Sequence, residues 1–144
     1  MAYTTINDPS AHFQTALWTG NAGTQSIVND GLSNLKPDFL WTKRRDGGGQ
    51  NHHVVDSTRG STETVVPNDT DAEAAKATGC TSFDTDGFSI GADNNYNSNS
   101  NTFVGWQWKA NGGTTSTNND GSQATTIQVN STAGFSIVKR TGTG

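Results

Sequence analysis

Chemistry in a protein needs an acid, a base, a nucleophile or a metal ligand held by partners, and few residues of this chain offer one. His52 and His53 are adjacent. On a strand they point to opposite faces, so they do not share a metal or a substrate. Asp84-Thr85-Asp86-Gly87 opens like a calcium loop, but the twelfth position of such a loop lacks its bidentate glutamate. Asp93 adds one further oxygen at most, and a hairpin turn explains the segment more simply. Asp56-Ser-Thr-Arg59-Gly60 sets a carboxylate and a guanidinium in a turn without a nucleophile beside a base. Cys80 is the single cysteine, which excludes an internal disulfide and a thiolate metal cluster. The expectation is no catalytic residue, no metal ligand and no cofactor.

Two further groups suit binding rather than turnover. Trp106 and Trp108 offer faces that stack on sugars, but they run in phase with Val104 and Ala110, which predicts that both rings are buried in the core. The polar run Asn94-Asn95-Tyr96-Asn97 is the candidate glycan contact. Its amides match sugar hydroxyls and Tyr96 can stack, against the plainer reading of a solvated loop.

The composition limits what can hold these residues in place. The chain has 144 residues, enough for one ordinary domain. Hydrophobic residues make up 30% and charged residues 15%, with 17 glycines, so uncharged polar residues fill the balance. Such a chain favours turns and strands over helices. A net charge of −4 is too small, and four tryptophans and six phenylalanines too many, for a disordered chain. The acidic balance weighs against nucleic acid as the partner, and Lys43-Arg44-Arg45, the basic cluster, reads as a solvated strand end. No basic segment followed by an apolar run opens the chain, and no stretch approaches membrane-spanning length. Synthesis and folding in a cytosol are expected, so the glycosylation-type triplets at Asn68 and Asn130 carry little meaning.

Period-two segments recur between turns, the pattern of a sandwich or barrel. HFQTALWTG and TQSIVN read as a hairpin around Gly20–Gly23. DFLWTKRRD, apolar on both faces at its start, reads as a central strand, with NHHVVDST as its hairpin partner beyond Gly47-Gly48-Gly49. TSFDT and GFSIG flank the Asp86-Gly87 turn. NDTDAEAAKATG breaks the pattern; its alanines, a cap at Asp69 or Thr70 and a stop at Gly79 predict a helix of two turns. The expected layout is an N-terminal arm over 1–12, a β-sandwich over 13–110, a polar linker over 111–124, and 125–144 as last strands or the start of a second repeat. GFSIVKRTGTG supports the second option, since it aligns with HFQTALWTGNAG, placing Phe135 on Phe13 and Gly142 on Gly20. On that reading the chain is the N-terminal part of a longer protein.

FQTALWTGNAGTQSI, KPDFLWTKRRD, VVDSTRG, the Ala-rich stretch, TSFDTDGFSIG and TFVGWQWKA, in this order, resemble a domain family of marine bacteriophage structural proteins, cyanophage proteins above all. The resemblance runs from about Phe13 to Ala110. It implies an all-β, jelly-roll or concanavalin-like antiparallel sandwich with one short helix, a fold often repeated in tandem on tail fibres and other virion surface proteins. It brings no catalytic motif; KRRD at Lys43 to Asp46 and GFSIG at Gly87 to Gly91 look structural. The expected function is therefore a non-enzymatic virion module that makes assembly and attachment contacts. Its expected partners are itself, as a homotrimer, and other virion proteins, with neither nucleic acid nor membrane insertion. A lectin-like module for a host surface glycan is the alternative, and a glycan-degrading enzyme a remote one.

Overall fold

The structure, a computed structural model, describes residues 5–143; Met1 to Thr4 of the expected arm and Gly144 lie outside the described residues. The strands are β1 (Phe13–Thr19), β2 (Gln25–Ile27), β3 (Phe39–Arg44), β4 (His52–Asp56), β5 (Gly60–Val65), β6 (Ala74–Ala75), β7 (Cys80–Asp84), β8 (Gly87–Ile90), β9 (Thr102–Trp108), β10 (Ser116–Asn118), β11 (Thr125–Asn130) and β12 (Phe135–Lys139). One helical turn, α1 (Asn94–Asn97), precedes β9, and a 3-10 turn covers Pro9–Ala11. The fold is an all-β antiparallel sandwich with one short helix.

A six-stranded sheet, ordered β1-β9-β3-β4-β5-β6, forms the larger layer, and β2-β8-β7 the smaller one. The β3–β4 and β7–β8 hairpins form as their turn residues predict. β1 and β2 do not form a hairpin. β1 pairs along its whole length with β9, and the Gly20–Gly23 corner carries the chain across to the other layer, where β2 pairs with β8. β3 is central, between β9 and β4. Trp18, Leu40, Val55 and Phe103 of the large sheet meet Ile27, Cys80, Phe88 and Ile90 of the small one to make the core. Alternate residues of β1 are buried and exposed in strict succession, as the pleat requires.

No helix forms over 69–79. β6 replaces it, bridging Glu63 and Thr64 of β5, and Ala72, Ala74, Ala75 and Ala77 are all exposed. The alanines supply propensity but no apolar stripe, and a helix of about ten residues without a packed face is marginal in water. The helical turn forms instead in the asparagine loop. Asp93 caps it by accepting from the Asn95 amide at 2.8 Å, and Tyr96 anchors it in the core.

The C-terminal strands make a third sheet, β10-β11-β12, which pairs with neither layer. Side chains dock it. Gln128, buried on β11, donates to Ser57 Oγ at 2.9 Å and Thr58 Oγ1 at 2.6 Å, and its Oε1 accepts from the Gly113 amide at 3.0 Å. Buried Asp38 fixes the approach to this sheet by accepting from the amides of Ala110 and Gly112 at 2.7 and 2.9 Å. Phe135, the first residue of β12, lies against Phe39 and Trp108 with ring centroids 5.9 and 6.0 Å apart. Among the described residues β12 thus pairs with β11 alone, yet Phe135 packs on the sandwich.

Candidate binding cleft

Register in the large sheet decides which aromatic rings share a face. Trp106 of β9 stands opposite Thr15 of β1 and Trp41 of β3, while Trp108 stands opposite Phe13 and Phe39. Lys43 pairs across with His52. These residues therefore lie on one face, and it is the outer one. The inner face of β9 carries Phe103, Gly105 and Gln107. A Cβ on Gly105 would lie 3.1 to 3.3 Å from Leu40, Trp18 and Phe88, so glycine is what lets the Trp18 ring close on the core.

Trp106 and Trp108 are therefore not core residues. The alternation in TFVGWQWKA is real, but both tryptophans lie on the outer face and are only partly covered, while Val104 and Ala110 of the same phase are buried by their neighbours, and the inner face has glycine and glutamine at two of its positions. Gln107 is accommodated because its amide exchanges hydrogen bonds with Asn29, at 2.6 and 3.3 Å.

The outer rings form a cleft of about 330 Å³ lined by Trp41, His52, Trp106 and Trp108. Trp41 and Trp106 meet edge to face at 6.2 Å and 74°, and Trp41 and His52 at 5.6 Å and 72°. The Trp41 Nε1–H donates to His52 Nδ1 at 2.8 Å. That bond requires a bare Nδ1, so the neutral imidazole carries its proton on Nε2. Partial burial, with Lys43 nearby, holds the His52 pKa below its usual value and keeps the ring neutral. Along the same face a second cleft of about 330 Å³ lies between the N-terminal turn, β1 and the third sheet, lined by Ile6, Pro9, His12, Phe13, Trp108, Ala133 and Phe135. Trp108 belongs to both, so the clefts make one aromatic strip.

The other candidates have structural tasks. The Tyr96 ring is fully buried, with its hydroxyl 3.0 Å from Thr64 Oγ1, so it does not stack on a ligand. Asn97 is equally buried; its Nδ2 donates to Asn21 Oδ1 and to the carbonyls of Gly23 and Gly91, and its Oδ1 accepts from the Asn21 amide. Of the four expected glycan contacts, Asn94 is exposed and Asn95 half-exposed, with the Asn95 side chain turned to Asp93. His53 points to the core, opposite to His52, with its ring 5.3 Å from Tyr96.

Asp84 accepts from Ser82 and Ser89 at 2.6 Å each, and Asp86 from the Leu35 amide at 3.1 Å. Both carboxylates brace the β7–β8 hairpin. Asp56 accepts from the amides of Thr58 and Arg59 and pairs with the Arg59 guanidinium at 2.5 Å, while Glu73 takes the other side of that guanidinium at 2.7 Å. Burial pushes the Cys80 thiol up to about 12, so it is not a nucleophile at neutral pH. Among the described residues no group of three His, Cys, Asp or Glu is placed to hold a metal. Lys43 donates to the Gln50 carbonyl at 2.6 Å and Arg44 to Asp46 and Asn101, at 2.7 and 2.6 Å, so two of the three clustered cations serve the strand end.

Trp41 did not stand out in the sequence, and His52 did so only as a metal or substrate ligand, not as part of an aromatic cleft. The available signal was that Trp41 shares its phase with Lys43, whose ammonium must reach water, while Leu40 and Thr42 share the other phase.

The fold and the cleft together define a small β-sandwich with an aromatic strip on its outer face. Residues 8–144 match the family described as a domain of unknown function, DUF7483, and the chain belongs to that family. No curated protein and no solved structure matches the chain.

Proposed function

We propose that this domain is a non-enzymatic structural module of a bacteriophage virion surface protein, such as a tail fibre, which makes assembly and attachment contacts. The observation that carries a contact role is the aromatic strip on the outer face of the large sheet. Large apolar side chains left half-open to water on a rigid sheet mark a surface meant to be covered. The phage setting rests on the order of motifs from FQTALWTGNAGTQSI to TFVGWQWKA, and assembly with itself, as a homotrimer, and with other virion proteins follows from that setting. Asp56, Glu73, Asp84 and Asp86 are occupied in turns and hairpins, which favours a structural reading over a glycan-degrading one.

A lectin-like role in recognising a host surface glycan is the second reading, favoured by the three indole rings around the Trp41–His52 cleft. The test of the first reading is antibody labelling of purified particles from a culture carrying the gene. Labelled tails or capsids support it, and particles free of the protein by both labelling and peptide mass spectrometry overturn it.

A further inference from the structure

We propose that the cleft of Trp41, His52, Trp106 and Trp108 is a subsite for one pyranose ring of a neutral, equatorially linked glycan. This deepens the lectin-like reading, moves it away from the asparagine loop, and does not depend on the virion setting. Four observations carry it. The floor is almost wholly aromatic and shallow, which suits the flat C–H face of a sugar better than a spherical group. Its volume of about 330 Å³ is at the small end of ligand sites and fits a ring rather than a protein segment. Its polar groups lie beside the floor on the same sheet face: the His52 imidazole, whose bond from Trp41 leaves Nε2–H as the remaining ring donor, and the exposed Thr15, opposite Trp106. Its charge weighs against the main rivals. Lys43, paired across from His52, disfavours a quaternary ammonium, and the net charge of −4 disfavours a polyanionic glycan.

The cleft is also a specificity device. Trp41 and Trp106 stand at 74° to one another, so a ring lying flat on one indole meets the edge of the other. That corner admits a ring with equatorial substituents and blocks one whose axial substituent projects to the same side. The neutral His52 then donates to a hydroxyl at the ring's edge.

The test uses the 144-residue chain and three probes: cellohexaose, laminarihexaose and chitohexaose. Saturable quenching of tryptophan fluorescence by at least one probe is expected, with a dissociation constant between about 10 µM and 10 mM. In ¹H–¹⁵N spectra the indole signals of Trp41 and Trp106 should shift while that of Trp18, buried and bonded to the Tyr96 carbonyl, stays still. Trp106→Ala should weaken binding about tenfold or more and Trp106→Phe less. Should Trp106→Ala not fold, the indole shifts of the wild-type chain decide alone. Absence of saturable binding to all three probes, binding that leaves Trp41 and Trp106 unmoved, or concentration-dependent dimerisation that Trp106→Ala abolishes would each overturn the assignment. Labelled virions without saccharide binding remove the subsite alone, and binding without labelled virions removes the virion setting alone.

Discussion

The indole N–H of Trp41 donates to Nδ1 of His52 at 2.8 Å, joining two neighbouring strands on the outer face of the large sheet. The bond selects one tautomer of His52 and sets its ring nearly perpendicular to the indole, at 72°. A protonated His52 carries a proton on Nδ1 and cannot accept this bond.

Desolvation, chiefly, holds both His52 and His53 below their ordinary value of 6.5. The unfolded chain therefore binds these protons at higher pH than the folded one. The stability that the neutral rings contribute is complete above about pH 6.5 and is lost as pH falls through their lower folded values. The melting temperature should be level from about pH 8 to 7 and begin to fall as the pH drops below about 6.5. A second fall should appear at more acid pH, below the ordinary carboxylate value of 3.8, where Asp8, held down by Ser10, and Asp46, held down by Arg44, take up protons. His52→Gln and His53→Gln should each flatten the upper step in thermal melts. A wild-type profile that stays level from about pH 7 down to the onset of the carboxylate step would contradict the lowered histidine values.

Two tryptophans on opposite faces should respond differently to truncation. Trp18 stacks on Phe103 at 5.5 Å in the core, so Trp18→Ala should cost about 3 to 5 kcal/mol or prevent folding. Trp106 is half-exposed, so Trp106→Ala should cost only about 1 to 2 kcal/mol, read from urea midpoints. Equal losses would mean that the outer ring is covered in solution.

Asn97 ties α1 to the Gly20–Gly23 corner and to Gly91. Asn97→Ala leaves the carbonyls of Gly23 and Gly91 without this donor and the Asn21 amide without its acceptor, and should cost about 2 to 4 kcal/mol. Asn94→Ala, at an exposed position of the same turn, should change stability by less than about 0.5 kcal/mol. Chemical denaturation of the pair separates a structural asparagine from a solvated one.

Gly87 closes the β7–β8 hairpin with φ at +101°, and a Cβ there would lie 2.0 Å from the Ile27 carbonyl oxygen. Gly87→Ala should therefore cost more than about 3 kcal/mol, from backbone strain and collision together. At Gly48 a Cβ would have no neighbour within 4 Å, and φ is not positive, so Gly48→Ala is the control, expected within about 0.5 kcal/mol of wild type.

Phe135 fastens the third sheet to the sandwich. Phe135→Ala should cost about 1 to 3 kcal/mol, mainly by loosening that sheet. Hydrogen exchange should accelerate across β10 to β12 and remain slow in β3 and β9. Uniform acceleration would instead make the three sheets one cooperative unit.

Much of the architecture was legible because it rests on local signals. Alternation in DFLWTKRRD and NHHVVDST, with a glycine run between them, specifies the β3–β4 hairpin, and Asp-Gly specifies β7–β8. The alanine run misled because helix propensity without an apolar stripe has nothing to pack against. The asparagine loop misled because polar composition hid one buried tyrosine and one buried amide, each satisfied by residues far along the chain, at Thr64 and Asn21.

The sequence alone determined the all-β class, the period-two alternation of longer strands such as β1 and β3 and the position of the β3–β4 and β7–β8 turns, since these depend on backbone sterics and neighbours a few residues apart. Only the tertiary structure decided which face of β9 is inside. A period of two assigns Trp106 and Trp108 to one face together, and the choice of face belongs to β2, β7 and β8, which cover the opposite side. The same choice brings Trp41, His52 and Trp106 together from three strands, and the cleft exists because of that packing.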